Sequence, residues 1–195
     1  MDRETYLGRL GEDIEPGGRD PAPSPLRVVQ QFVNTFNHEV GHARDRLGTP
    51  TAASRWLIDH ELLEQGQGVS IDDLSRLHEL REGLRDMTGE SPAEKLRSQR
   101  IIDDLGGSIR LAVRLDDDAF MRLEPTGAGV EGVIGSVLAI VHTTKIDGTW
   151  QRMKACRQCS WLFFDNSRNR SSGWCSMAVC GNRSKNRSYR RRAGQ

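Results

Sequence analysis

The stretch Cys156-Arg157-Gln158-Cys159, followed after fifteen residues by Cys175-Ser176-Met177-Ala178-Val179-Cys180-Gly181-Asn182-Arg183, holds all four cysteines of a 195-residue chain. Two cysteines separated by two residues reach one ion from a tight turn. A second pair must then be returned to the same point. Four thiolates at about 2.3 Å close a tetrahedral, structural zinc site and leave no open position for catalysis. The four-residue gap between Cys175 and Cys180 departs from the commoner two. An iron–sulfur cluster, a redox dithiol at Cys156 and Cys159, or ordinary buried thiols are the competing uses. Working outward, Trp161 to Phe164 read as a short strand and Asn166 to Gly173 as a polar turn. Cys175 then falls at the end of a returning strand, and Cys180 in the first turns of a final helix from Met177 to about Arg192. Such a treble-clef or ribbon-like module has too few apolar residues to fold alone. Metal binding would supply much of its folding free energy.

Charge divides the chain at the same place. Residues 151–195 carry 11 Lys and Arg against one acid, Asp165, a net of +10; residues 1–150 carry 17 against 26, a net of −9. A zinc tetrathiolate contributes about −2 and leaves the module strongly basic. On the final helix Arg183, Arg187 and Arg190 share one stripe, and Asn182, Asn186 and Tyr189 the next. Lys185, Arg191 and Arg192 add charge there, and Arg168 and Arg170 add it in the polar turn. Arginine forks onto phosphate or a guanine edge, and asparagine pairs with an adenine edge. These residues are the candidate nucleic-acid contacts, with double-stranded DNA as the expected partner. If about six cations neutralise phosphates, log K falls with log salt at a slope of about −5. A solvated helix docked on the acidic body, a protein-interaction module and an RNA-binding module are the alternatives. Only Tyr189 accompanies the helix as an aromatic, which disfavours recognition by base stacking.

Upstream the pattern is mainly helical. Residues 1–24, rich in Gly, Pro and charge, read as a disordered leader. Val28, Val29, Phe32, Val33 and Phe36 recur at helical spacing. Thr49-Pro50, Ser70 with Asp73, and Ser91-Pro92 with Glu94 are three helix starts. Ile109 to Leu115 alternates, Asp116 to Asp118 turns, and Phe120 to Leu123 returns, which predicts a β-hairpin. Val130 to Ile146 reads as a buried helix. The expected fold is therefore mainly α with one small β-hairpin, an α+β body over 25–150, followed by the zinc module over 151–195. Dimerisation through the body is an expectation. The start Met1-Asp2-Arg3-Glu4 lacks a signal-peptide pattern, and no long uninterrupted apolar run argues for a membrane span, so a cytoplasmic protein is expected.

The segment from Cys175 to Arg183, with Cys156-x-x-Cys159 upstream and Asp165 to Arg170 between, closely resembles the CGNR zinc-finger family, named for its Cys180-Gly181-Asn182-Arg183 tetrapeptide. The body resembles the ABATE domain through Phe32-Val33-Asn34-Thr35, Leu47-x-Thr49-Pro50 before Trp56-Leu57, Leu77-x-x-Leu80-Arg81, and Asp147-Gly148-Thr149-Trp150. Together these cover about residues 28–192. The resemblance implies a bacterial stress-induced transcription regulator with one structural zinc per chain on Cys156, Cys159, Cys175 and Cys180, and a DNA-binding C-terminus.

One motif competes. His38-Glu39-Val40-Gly41-His42 matches H-E-x-x-H, in which two histidines hold a catalytic zinc and the glutamate activates water. Glu61 or Glu64 would be the third ligand of such a metallopeptidase. Gly41 weakens the helix this chemistry needs, and Asp45 and Gly48 stand where an extended motif requires Gly and His. A polar helix end or loop is the expected state. No phosphate-binding glycine loop or nucleophile elbow is present, so an enzyme is not expected.

Overall fold

The computed structural model describes residues 15–39, 41–42 and 45–193, without the side chains of 188 and 191–193. Helix α1 (Leu26–Val33) turns Leu26, Val29, Phe32 and Val33 inward. Helix α2 (Pro50–Asp59) starts where the Thr49 hydroxyl accepts the Ala52 N–H at 3.2 Å. Ser70 and Ser91 form complete capping boxes with Asp73 and Glu94 and start α3 (Ile71–Met87) and α4 (Pro92–Gly106). Helices α3 and α4 approach closely at Gly83, where a side chain would stand 2.8 Å from Ile101 Cγ2.

Strands β1 (Leu111–Leu115) and β2 (Met121–Pro125) pair antiparallel in the register Leu111↔Pro125 to Leu115↔Met121. Helix α5 (Gly129–Ile146) follows. By length and composition it could cross a membrane, a match that reading for uninterrupted apolar runs overlooks. Here Val133, Ile134, Val137 and Val141 are buried in the common core with α1 and α3, so it is the central helix of the body. Gly135 lets the hairpin settle on it, since a Cβ there would lie 2.7 Å from Pro125 Cβ.

A 3-10 turn (Thr149–Arg152) leads into β3 (Met153–Ala155), which pairs with β4 (Leu162–Phe164) as Met153↔Phe164, Lys154↔Phe163 and Ala155↔Leu162. The strand expected at Trp161 to Phe164 exists, but its partner precedes Cys156. No strand returns at Cys175. Side chains alternate along β4: Leu162 and Phe164 enter the body's core, while Phe163 faces the cysteines. One strand therefore serves both units. A single π-turn (Met177–Gly181) precedes α6 (Asn182–Ala193), where the sequence predicts one continuous helix.

The largest departure lies at the N-terminal side. Residues 15–24 form a strap across the zinc module where a disordered leader is expected; residues 1–14 of that leader lie outside the described residues. The Arg19 guanidinium donates to the carbonyls of Cys175 (2.8 Å) and Trp174 (3.1 Å) and lies 5.0 Å over the Phe163 ring. Asn166 donates to the Asp20 carbonyl at 2.9 Å. Gly17, at φ +76°, passes so close to Ser176 that a Cβ would meet its Oγ at 3.0 Å. These long-range contacts outweigh the local composition that suggests disorder.

Candidate metal centre and nucleic-acid interface

The turn Cys156–Ser160 is closed by Ser160 N–H donating to Cys156 C=O at 2.8 Å and Cys156 N–H donating to Trp161 C=O at 2.9 Å. It offers Cys156 and Cys159 to one side. Cys175 and Cys180 come from the two ends of the Ser176-capped π-turn, where Ser176 C=O accepts the Cys180 N–H at 2.9 Å. All four Sγ atoms lie within 4.8 Å of one another. Cys159–Cys175 and Cys175–Cys180 are 3.6 Å apart and Cys180–Cys159 is 3.7 Å. A tetrahedron of sulfurs 2.3 Å from a zinc ion has edges of about 3.8 Å. The separations are far beyond a disulfide bond, and all four cysteines are free. The donor set thus fits structural zinc. Contact with Cys159, Cys175 and Cys180 pushes the Cys156 thiol down, while contact with Cys156 and Cys159 pushes the Cys175 thiol up. Such crowded sulfurs share negative charge unfavourably unless a cation sits among them.

The polar turn is organised by Asp165, the lone acid of the module, whose role the sequence reading did not assign. Its side chain is fully buried and accepts from Lys154 Nζ (2.7 Å) and from the N–H groups of Ser167 and Ser172 (3.0 Å each). Burial pushes this carboxyl up, but the Lys154 ammonium and these N–H donors outweigh it and hold it well below the usual range. Arg168 and Arg170 are carried on the outside of this loop, both exposed.

On α6, Asn182, Lys185, Asn186, Arg187 and Arg190 are exposed. Asn182 donates to the Ala178 carbonyl at 3.1 Å. The side chains of Arg191 and Arg192 lie outside the described ones. Arg183 differs from its neighbours: its guanidinium is paired with Glu39 and only partly exposed. One cation of the helix is thus docked on the body. Lys185, Arg187 and Arg190 have no acidic partner among the described residues.

That pairing also accounts for the H-E-x-x-H segment. Glu39 is drawn to Arg183, His38 Nε2 lies 3.3 Å from Glu82 Oε2, and the rings of His38 and His42 flank Phe36 at 4.9 and 5.1 Å. Among the described residues the four cysteines are the group that gathers at metal-binding distance. Glu61 and Glu64 are not brought to that segment as ligands.

A buried polar network joins body to module, and its partners are invisible to periodicity. Asn34 reads β4 as a strand would: its Nδ2 donates to Leu162 C=O (2.7 Å) and its Oδ1 accepts the Leu162 N–H (2.8 Å). Arg85 donates to the carbonyls of Val33 (2.8 Å), Phe36 (3.1 Å) and Ser160 (2.8 Å). Arg81 forks onto Asp45 at 2.7 and 3.0 Å. Glu82 joins Arg85 (3.1 Å), Arg81 (3.2 Å) and His38. Burial pushes the Glu82 carboxyl up, but the His38 hydrogen bond and the Arg85 and Arg81 guanidiniums outweigh it and hold it at about 2. Between that value and its ordinary 4.5 the unfolded chain binds more protons than the folded one. The stabilisation from Glu82 is therefore full above about 4.5 and drains away as pH falls toward 2. The stability difference between wild type and Glu82→Gln should be constant near neutral pH and shrink below pH 4.5, read by denaturant titration. A gap that widens in acid would refute this.

The architecture defines a zinc-finger protein in which a helical body is fused through a shared core to a four-cysteine knuckle and a basic helix. Residues 26–136 match the family model of ABATE, described as "Putative stress-induced transcription regulator", and residues 152–193 match the CGNR zinc finger. The first match spans more than half of the chain, and the chain belongs to the ABATE family. No curated protein matches the sequence.

Proposed function

We propose that the protein is a cytoplasmic, DNA-binding transcription regulator. In this reading the segment 151–195 is the reading head and the body over 25–150 carries regulation and dimer formation. The zinc knuckle holds α6 rigidly, and Lys185, Arg187 and Arg190 contact phosphates, with Asn186 able to address a base edge. Arg168 and Arg170 extend the basic surface. The observation that carries the reading is the division of labour on α6: Arg183 is spent on Glu39, while three further cations face outward without acidic partners among the described residues. A helix whose charge served only to dock on the acidic body would turn more than one cation inward. A role as a protein-interaction or RNA-binding module is the competing reading.

Duplex binding by the zinc-loaded protein is expected to weaken with salt. Substituting Lys185→Ala, Arg187→Ala and Arg190→Ala together should reduce the slope of log K against log salt by about 3, at about 0.9 per phosphate contact. Zinc content should not change, because none of the three touches the knuckle. Fluorescence anisotropy over a salt series checks this. An unaltered slope in the triple variant would remove α6 as the DNA-contacting element, and tighter binding to single-stranded RNA than to duplex DNA would favour the competing reading.

A further inference from the structure

The β1–β2 hairpin carries a feature that the zinc finger does not use. Its register places Leu111, Val113 and Leu115 opposite Pro125, Leu123 and Met121 on one face, and Ala112 and Arg114 opposite Glu124 and Arg122 on the other. One face is therefore wholly apolar. Its inner end rests on α5 at Gly135, beside Pro125 and Leu111. Its outer end stands in solvent: Val113 is 61% exposed, Leu115 67%, Met121 77%, and Phe120 at the turn 71%. Contiguous exposed apolar surface of this kind marks an interaction site.

The outer edge of β1 is equally unused, since among the described residues the sheet has two strands. Thr126 N–H donates to Arg110 C=O, and Asp116 N–H donates to Phe120 C=O, each at 3.0 Å. By antiparallel alternation, residues 110, 112, 114 and 116 turn their backbone groups toward β2, and Leu111, Val113 and Leu115 turn theirs outward. Such an edge is a template for another strand.

We propose that the occupant is a second copy of this chain, pairing β1 with β1 antiparallel about a two-fold axis at Val113, so that two hairpins form one four-stranded sheet. Charge selects both occupant and register. About Val113, Leu111 faces the partner's Leu115, Arg110 faces the partner's Asp116, and Arg114 faces the partner's Ala112. Shifting the axis to Ala112 sets Arg110 against the partner's Arg114. Shifting it to Arg114 sets that residue against its own copy. Like charges directly opposite destabilise a sheet, so only the Val113 register is both apolar-matched and charge-matched. It also brings the exposed Leu115 beside the partner's Leu111, the residue seated against Gly135. The proposal is independent of the DNA reading.

Sedimentation velocity of the zinc-loaded full chain tests it, and dimers are expected. Val113→Pro removes an outward N–H and no bond to β2, and should give monomers with unchanged zinc content. Asp116 also closes the hairpin turn through Phe120 N–H (2.9 Å) and Asp118 N–H (3.1 Å), so it is left intact. Arg110→Glu lies opposite the neutral Thr126 in its own hairpin; it places an acid opposite the partner's Asp116 twice per dimer and should weaken association by about fivefold. With the axis at Ala112 the same change sets the acid against the partner's Arg114 and tightens association instead. A wild type that remains monomeric, a dimer indifferent to Val113→Pro, or one tightened by Arg110→Glu would each overturn the proposal.

Discussion

Chelating the zinc, or substituting Cys156→Ser, should abolish the order of the two cysteine-bearing stretches, residues 156–160 and 174–183, while leaving α3 and α4 protected. The knuckle's own core is small: Trp161 and Phe163 with the cysteines, and Trp174 and Val179 partly buried against them. That cluster cannot offset the backbone entropy of the loops it closes, at about 1–2 kcal/mol per ordered residue. Structural zinc contributes on the order of 10 kcal/mol in comparable modules. Loss of the ion therefore removes the scaffold of α6. Leu162 and Phe164 remain anchored in the body's core, so β4 should stay attached. Hydrogen exchange read with metal analysis checks both halves of this statement. One zinc per chain is expected, lost in Cys156→Ser and kept in His42→Ala. A metal-free protein with native protection across 175–183 would contradict it.

The second large effect is expected at Arg85. This guanidinium is almost wholly buried and donates to three backbone carbonyls from two segments, Val33 and Phe36 at the end of α1 and Ser160 in the knuckle, while pairing with Glu82. Arg85→Ala leaves those acceptors without donors and Glu82 with one cation fewer. Removing one member of such a buried network costs about 3–5 kcal/mol. Arg85→Lys should recover little, because a single ammonium cannot span the fork that reaches Val33, Phe36 and Ser160 together. The loss should appear in the thermal unfolding of the whole protein, since Ser160 belongs to the knuckle and Val33 to α1. A variant that destabilises the body alone would show that the two units are not coupled through this residue.

The helices and hairpin follow from local physics. Thr49, Ser70 and Ser91 cap the helices that the sequence predicts, because a hydroxyl three residues ahead of an N–H needs no distant partner. The alternation from Leu111 to Leu115 yields its strand for the same reason. The returning strand expected at Cys175 is absent: the partner of β4 is Met153–Ala155, a segment too short to announce itself by alternation. The strap at residues 15–24 escapes a reading by composition because its order comes from Arg19 reaching the Cys175 carbonyl far along the chain.

The sequence by itself determined the zinc site, since four cysteines at those spacings in a basic segment carry their chemistry in their identities. It also determined the family, through motifs that are strings of residues. Only the tertiary structure decided what those motifs do. Asn34 hydrogen-bonds β4, Arg85 joins body to knuckle, and Glu39 is paired with Arg183 where the sequence offered a catalytic base. The reason is physical. Side-chain periodicity and caps are set by neighbours within a few residues, whereas a buried polar group must find its partner wherever the fold brings one.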